Sequence, residues 1–286
     1  MFKLFKKIQR FFPPFIVDFV KKNLGYIGYA LWEYAPKGFL TQIKKGGWDL
    51  ESIAVVQKEK WEAYRDRVRS NQSIGVNHEH PDSSIQHEPF FHNLLVSFAY
   101  VIALSGLKKK SIDFLDWGGG IGHYGLLAEE LIKPAEIKIN YFCYDFPGFC
   151  NHGKELNPNY NYFSDENKYH DHKFDLVMAS SSIWYEEDWK KGVDKLCKFE
   201  TDFLYITRMI FIDEQPSYVA LQRPKSMGYN TEYLFWIINK HTFVKYLNEK
   251  NFTLVREFEF GNILPIFKAP EQGTMKGFLF KRQTNL

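Results

Sequence analysis

Residues 116–122 read Asp116-Trp117-Gly118-Gly119-Gly120-Ile121-Gly122, an acid followed by glycines at every second position. They close an apolar run, 112–117, and precede a stretch that reads as a helix from about Tyr124. Glycine lets the backbone turn sharply and approach a ligand closely, and a helix start presents unpaired amides. The combination is a cradle for a nucleoside cofactor. Gly120-x-Gly122-x-x-Gly125 also satisfies the dinucleotide fingerprint, so the glycines alone leave two cofactor classes open.

Charge separates them. A carboxylate at Asp116 suits a cofactor bearing an ammonium group, as S-adenosylmethionine does, whereas a pyrophosphate gains nothing from an acid there. The next apolar run, 137–144, ends in Asp145, where a carboxylate accepts ribose hydroxyls, and Phe146 follows it. Nicotinamide enzymes use the same ribose device, so Asp145 supports nucleoside binding in general.

Elements must hold these residues at one edge of a sheet. After Lys108-Lys109-Lys110, strand and helix patterns alternate: strand 112–117, a helix, strand 137–144, a short strand at 162–163, strand 174–179, a helix at 189–198, and strand 203–207. That is the βαβ rhythm of a doubly wound, Rossmann-like α/β sheet, mostly parallel. Residues 252–260 and 277–281 break the rhythm as two strands with no helix between them, an antiparallel hairpin. The expected organisation is a helical N-terminal extension and cap over residues 1–107 and a cofactor-binding domain over 108–286.

With these motifs the chain resembles the class I S-adenosylmethionine-dependent methyltransferases, Asp116 to Gly122 being the first motif and Asp145 the second. The resemblance implies that Ser164 and Asp165 hold the adenine and that Ser180, Ser181 and Ser182 face the donor methyl. More narrowly, residues 114–258, about half the chain, look like a methyltransferase family found among bacterial surface-polysaccharide genes. The matching phrases begin at Asp175, Tyr205, Val219 and Tyr233. Where that family carries an acid before arginine, this chain has Thr207 before Arg208. The resemblance implies an acceptor that is a sugar hydroxyl of a surface glycan or of its nucleotide- or lipid-linked precursor. A small-molecule O-methyltransferase outside glycan synthesis, a nicotinamide-dependent oxidoreductase and a non-catalytic binding protein on the same fold are the alternatives.

Methyl transfer needs alignment and exclusion of water more than acid–base machinery. One base suits a hydroxyl acceptor, and His87, in the histidine-rich stretch 77–93, is the candidate; a capping or surface histidine is the competing reading. Tyr185 closes the fourth-strand phrase and could position a hydroxyl. Arg208 ends the fifth strand and could hold a phosphate or carboxylate, or instead an internal salt bridge. Trp184, Trp189 and Trp236 suit sugar stacking or plain core packing. The adjacent acids Glu186-Glu187-Asp188 do not converge, and the histidines lack zinc-ligand spacing, so no metal is expected.

The 37 basic and 34 acidic residues give a net charge of +3, far from the concentrated basic field of nucleic-acid binders. The three cysteines, Cys143, Cys150 and Cys197, form neither a CxxC pair nor an even disulfide set, which suits a reducing, cytoplasmic setting. Residues 1–22 interleave six lysines and arginines with phenylalanines, a pattern that suits peripheral contact with an anionic membrane or packing on the chain's own domain. Nothing in the sequence specifies an oligomeric state.

Overall fold

The computed structural model describes residues 32–43, 46–70, 77–79, 89–224, 227–261 and 265–283. Strands form where the sequence is apolar without alternation. In Lys173–Ser180 the residues Phe174, Leu176, Val177, Met178 and Ala179 are all fully buried, as a parallel strand covered on both faces requires. We number this strand β5. Before it come β1 (Trp32–Tyr34), β2 (Ser111–Trp117), β3 (Lys138–Tyr144) and β4 (Asn161–Phe163). After it come β6 (Glu200–Ile212), β7 (Tyr218–Gln222), β8 (Tyr233–Asn239), β9 (Phe252–Glu259), β10 (Ile266–Phe267) and β11 (Thr274–Arg282). The helices are α1 (Glu51–Glu59), α2 (Trp61–Arg69), α3 (Pro89–Ser105), α4 (His123–Ile132), α5 (Pro147–Leu156), α6 (Trp189–Lys198) and α7 (Lys240–Glu249).

The parallel core runs β4-β3-β2-β5-β6. β11 then inserts antiparallel between β6 and β9. This is the Rossmann-like doubly wound sheet with the terminal antiparallel pair, as the sequence pattern predicts. Chain order reverses between β2 and β5, so their carboxyl ends splay apart and leave the crevice in which open α/β sheets bind ligands. α3 and α4 cover one face, where Phe98 meets Phe114 and Tyr124 at ring distances of 5.9 and 4.9 Å. α6 and α7 cover the other, where Phe243 packs between Trp189 and Phe278 at 5.7 Å from each.

Two features depart from the sequence expectation. The sheet continues beyond β6, because β8 pairs with the last residues of β6, β7 with β8, β1 with β7 and β10 with β1. The lead-in is therefore not wholly helical, since its Trp32–Tyr34 segment is a strand of the sheet. Trp32, Ile53, Trp61 and Phe98 share one buried cluster with Phe114 and Val177, so residues 32–105 and the sheet fold around a common core. Residues 1–22, with their basic aromatic pattern, lie outside the described residues. Among the described residues no helix is long and apolar enough to cross a membrane.

Phe278 of β11 is fully buried and touches Phe211, Phe243 and Phe280, so it anchors the antiparallel pair to the parallel sheet. Phe278→Ala is expected to cost about 3–5 kcal/mol. Urea unfolding should show a lower midpoint with an unchanged slope. A loss under about 1 kcal/mol would mean that the strand is held by its ladder alone.

Candidate functional site

The glycine loop lies where β2 hands over to α4, and close contacts fix it. Gly118 has φ +77°, and a Cβ there would sit 2.5 Å from the Ser182 Cβ, so no other residue lets the loop meet the end of β5. A Cβ on Gly119 would lie 2.6 Å from Asp116 Oδ2 and 2.8 Å from Cys143 Sγ. The Gly118 amide donates to the Tyr144 carbonyl at 2.8 Å, tying the loop to the end of β3.

Asp116 lies beneath this loop. It is fully buried and accepts a 2.7 Å hydrogen bond from the Tyr141 hydroxyl, while its Oδ1 has no partner. Burial pushes its carboxyl up to about 7, offset by the Tyr141 bond and reinforced by the nearby Asp145. It does not line the cavity. The direct ammonium contact expected at Asp116 is therefore not what this geometry offers; Asp116 supports the loop from below.

Asp145 does face the cavity. Its Oδ2 accepts from the Gly120 amide and its Oδ1 from the Phe146 amide, both at 2.7 Å. Burial raises its carboxyl to about 6 against the lowering effect of those two amides. Each oxygen keeps a lone pair for a further donor.

Above these residues opens a cavity of about 860 Å³, within the range of small-molecule sites. Its floor is Gly118, Gly119 and Gly120, its mouth Asp145 and Phe146, and its far wall Ser180, Ser181, Ser182 and Arg208. Gln57 of α1, Trp48, and His78 with Glu79 from residues 77–79 also line it, so the N-terminal part of the chain closes the crevice. Trp48 stacks on Tyr233 at 4.4 Å and meets Tyr185 edge-on at 5.4 Å. The Tyr185 hydroxyl donates to Gln222 Oε1 at 3.1 Å.

The other expected residues are dispersed. Gly122 caps α4 in the left-handed conformation and does not line the cavity. Ser164 and Asp165 are exposed and do not line the cavity; Asp165 instead accepts from the Asn167 amide at 3.0 Å in a local turn. Glu166 lines the mouth in their place, bound to Lys195 at 2.8 Å. His87 lies outside the described residues. The three serines all reach the cavity wall, but the Ser181 and Ser182 hydroxyls are spent on the Arg208 and Trp117 carbonyls, both at 2.7 Å. Ser180 shares a 3.1 Å hydrogen bond with the Tyr124 hydroxyl. Trp189 is core, Trp184 is buried on the cavity wall, and the Trp236 indole donates to the Glu187 carbonyl at 3.2 Å. Among the described residues no carboxylate comes within ion-pairing distance of Arg208, so the internal salt bridge open to it in sequence does not form there.

Sequence reasoning missed Gln57, Trp48, His123 and Tyr124, and read His78 only as part of the histidine-rich stretch 77–93, a capping loop or a substrate-facing one. For His123 a signal existed, since a polar ring at the first position of a helix that starts on a glycine loop faces whatever the loop holds.

No family model matches the chain, and no curated protein matches it. Solved structures with the same general fold do. A S-adenosylmethionine-dependent methyltransferase from Clostridium acetobutylicum is 14% identical over 66% of this chain and 92% of its own, with a TM-score of 0.41. The Burkholderia thailandensis 1,6-didemethyltoxoflavin-N1-methyltransferase, solved with its substrate and S-adenosylhomocysteine, is 12% identical over 88% and 100%, with a TM-score of 0.45. A S-adenosylmethionine-dependent methyltransferase from Methanosarcina mazei is 13% identical over 62% and 95%, with a TM-score of 0.46.

Two buried groups of the site titrate in opposite senses. Asp116 holds its proton to about 7 when folded and to about 3.9 when unfolded, so its contribution to stability falls as pH rises between those values. His123 is pushed down to about 3 by burial and by Arg208, against about 6.5 unfolded, so its contribution rises with pH over that window. Asp116→Asn removes one slope and leaves the other. Its stability relative to wild type should increase by up to about 3 kcal/mol between about pH 4.5 and 7 in urea unfolding. A difference independent of pH would show that Asp116 titrates like an exposed acid.

Proposed function

We propose that the chain is a S-adenosylmethionine-dependent methyltransferase, with the cofactor held over Gly118, Gly119 and Gly120 and the acceptor between the aromatic wall and Arg208. The carrying observation is the Asp145 carboxylate, fixed by two backbone amides with a free lone pair left on each oxygen, which suits the vicinal hydroxyls of a ribose. The glycine floor fits a group that must approach the backbone closely. Exposed Phe146 at the mouth offers an apolar face to an adenine, the role that sequence resemblance had given to Ser164 and Asp165. The antiparallel β11 is the addition that distinguishes this sheet from a plain dinucleotide fold, and it weighs against the oxidoreductase alternative.

When bound, the cofactor supplies a methyl group on a sulfonium sulfur, open to in-line displacement by a nucleophile. The chain's own residues bind, align and keep water out. Tyr185, steadied by Gln222, and the Ser180–Tyr124 pair offer hydroxyls to orient an acceptor. Trp48, Tyr233 and Tyr185 line the wall and lower its polarity, which strengthens the few polar contacts made there.

The acceptor in this reading is a sugar hydroxyl of a surface glycan or its nucleotide- or lipid-linked precursor. Support comes from the aromatic wall of Trp48, Tyr185 and Tyr233, an apolar surface that suits the C–H face of a sugar. Gln57 Oε1 and the Tyr233 hydroxyl, both buried and without partners, suit its hydroxyls.

Calorimetry with S-adenosylhomocysteine and, separately, NADH tests the reading. S-adenosylhomocysteine should bind and NADH should not. Gly120→Arg should abolish binding, because a side chain there enters space held by Gln57. Asp145→Ala should weaken it about 10- to 100-fold, the worth of hydrogen bonds to a charged group. NADH binding alone, or unchanged affinity in a folded Asp145→Ala protein, would overturn the assignment.

A further inference from the structure

Two buried nitrogens on the cavity wall have no partner. One is Arg208 Nε and the other His123 Nε2. They arrive from different elements, each by a local distortion or packing that presents the group to the cavity.

Arg208 stands in β6 where the ladder to β11 slips. Pairing passes from Met209 with Lys276 to Ile206 with Phe278, so Thr207 and Arg208 together face Gly277. Arg208 adopts φ +56°, a left-handed conformation that is strained for a long side chain and persists only when its surroundings impose it. They do so here: the Ser181 amide donates to the Thr207 carbonyl at 3.0 Å and the Ser181 hydroxyl to the Arg208 carbonyl at 2.7 Å. The result aims a guanidinium into the cavity without a counter-ion in pairing distance among the described residues. The Tyr124 hydroxyl and the charge of Glu79 offset its burial only in part, and its Nε is left without an acceptor, a cost that a ligand anion relieves.

His123 opens α4. Its ring packs against Trp61 at 5.3 Å and Tyr64 at 4.9 Å and stacks on His78 at 4.2 Å. The groups facing it are Tyr64 from α2, His78 with Glu79 beside it, Tyr124 on its own helix, and Arg208 from β6. Burial, and after it the positive charge of Arg208, hold the imidazole neutral.

We propose that Arg208 and His123 form an oxyanion subsite, which takes a phosphoryl or carboxylate group of the acceptor. Arg208 supplies the fixed charge and the donor fork. His123 supplies a second donor: burial keeps the imidazole neutral, and with its proton on Nε2 the ring donates to the same anion without gaining a charge. Glu79 lines the same cavity and acts on Arg208 electrostatically, so it competes with an incoming anion for the guanidinium. Calling the ligand an acceptor rests on the methyltransferase reading; the subsite itself does not.

The test uses the full chain without cofactor, inorganic phosphate and acetate as probes, and two readouts. The imidazole resonance of His123, assigned by its loss in His123→Gln, should not titrate between about pH 5 and 8 in the free protein. Saturating probe at about pH 7 should displace that resonance while leaving it pH-independent over the same range, as an anion hydrogen-bonded to the neutral ring requires. Affinity by calorimetry should fall at least tenfold in Arg208→Gln and rise in Glu79→Gln. Tighter phosphate than acetate identifies a phosphoryl ligand, and the reverse a carboxylate; both uphold the subsite. If Arg208→Gln does not fold, the displacement of the wild-type His123 resonance decides alone. No movement of His123 at saturating concentrations of either probe, or binding indifferent to a folded Arg208→Gln, overturns the proposal. Binding of S-adenosylhomocysteine, measured in parallel, separates the two ideas: its absence alongside an intact phosphate response would fell the methyltransferase reading and leave the subsite standing.

Discussion

The closeness of the glycine loop to the strand ends is the constraint on which the site depends. With Gly118 against Ser182 and Gly119 against Asp116 and Cys143, the loop is clamped between the ends of β5 and β3 at distances no Cβ permits. That clamp brings the Gly120 amide onto Asp145 and sets the first turn of α4, and with it His123 and Tyr124, beside the cavity. The buried Asp116 carboxyl, bonded to Tyr141, fills the space beneath. Binding geometry here is thus set by backbone packing before any ligand contact is made.

Electrostatics follow from the same burial. The cavity places acids at its mouth, at Asp145, Glu166 and Glu186, and a buried guanidinium at Arg208, whose Nε has no acceptor. Low polarity around these groups magnifies each charge, so the neutral His123 and the raised Asp116 are products of one environment acting on a base and on an acid. A ligand that is nucleoside-like at one end and anionic or hydroxylated at the other matches this distribution.

The parts legible in sequence were those set by local pattern. The strands around 112–117, 137–144 and 174–179 announced themselves as apolar runs, because central parallel strands are buried on both faces. The glycine motif announced the loop, and the missing helix between 252–260 and 277–281 announced the antiparallel pair. The sheet extension was not legible: β1 and β10 have three and two residues, and their pairings join positions more than 180 apart in sequence, which no periodicity encodes. The direction of the Asp116 side chain was misjudged for the same reason, since an acid in a strand covered on both faces has to find its partner within the protein, here Tyr141. Gln57 and Trp48 join the cavity only through tertiary packing of the lead-in over the crevice.

Hydrogen exchange with and without S-adenosylhomocysteine bears most directly on the claim that the glycine loop and Asp145 form the cofactor site. Slower exchange confined to residues 118–124 and 146–149 is the expected result, since these amides lie at the cavity floor and at the start of α5. Unchanged exchange there, or protection centred instead on the surface groove between α3 and β9, would contradict the account.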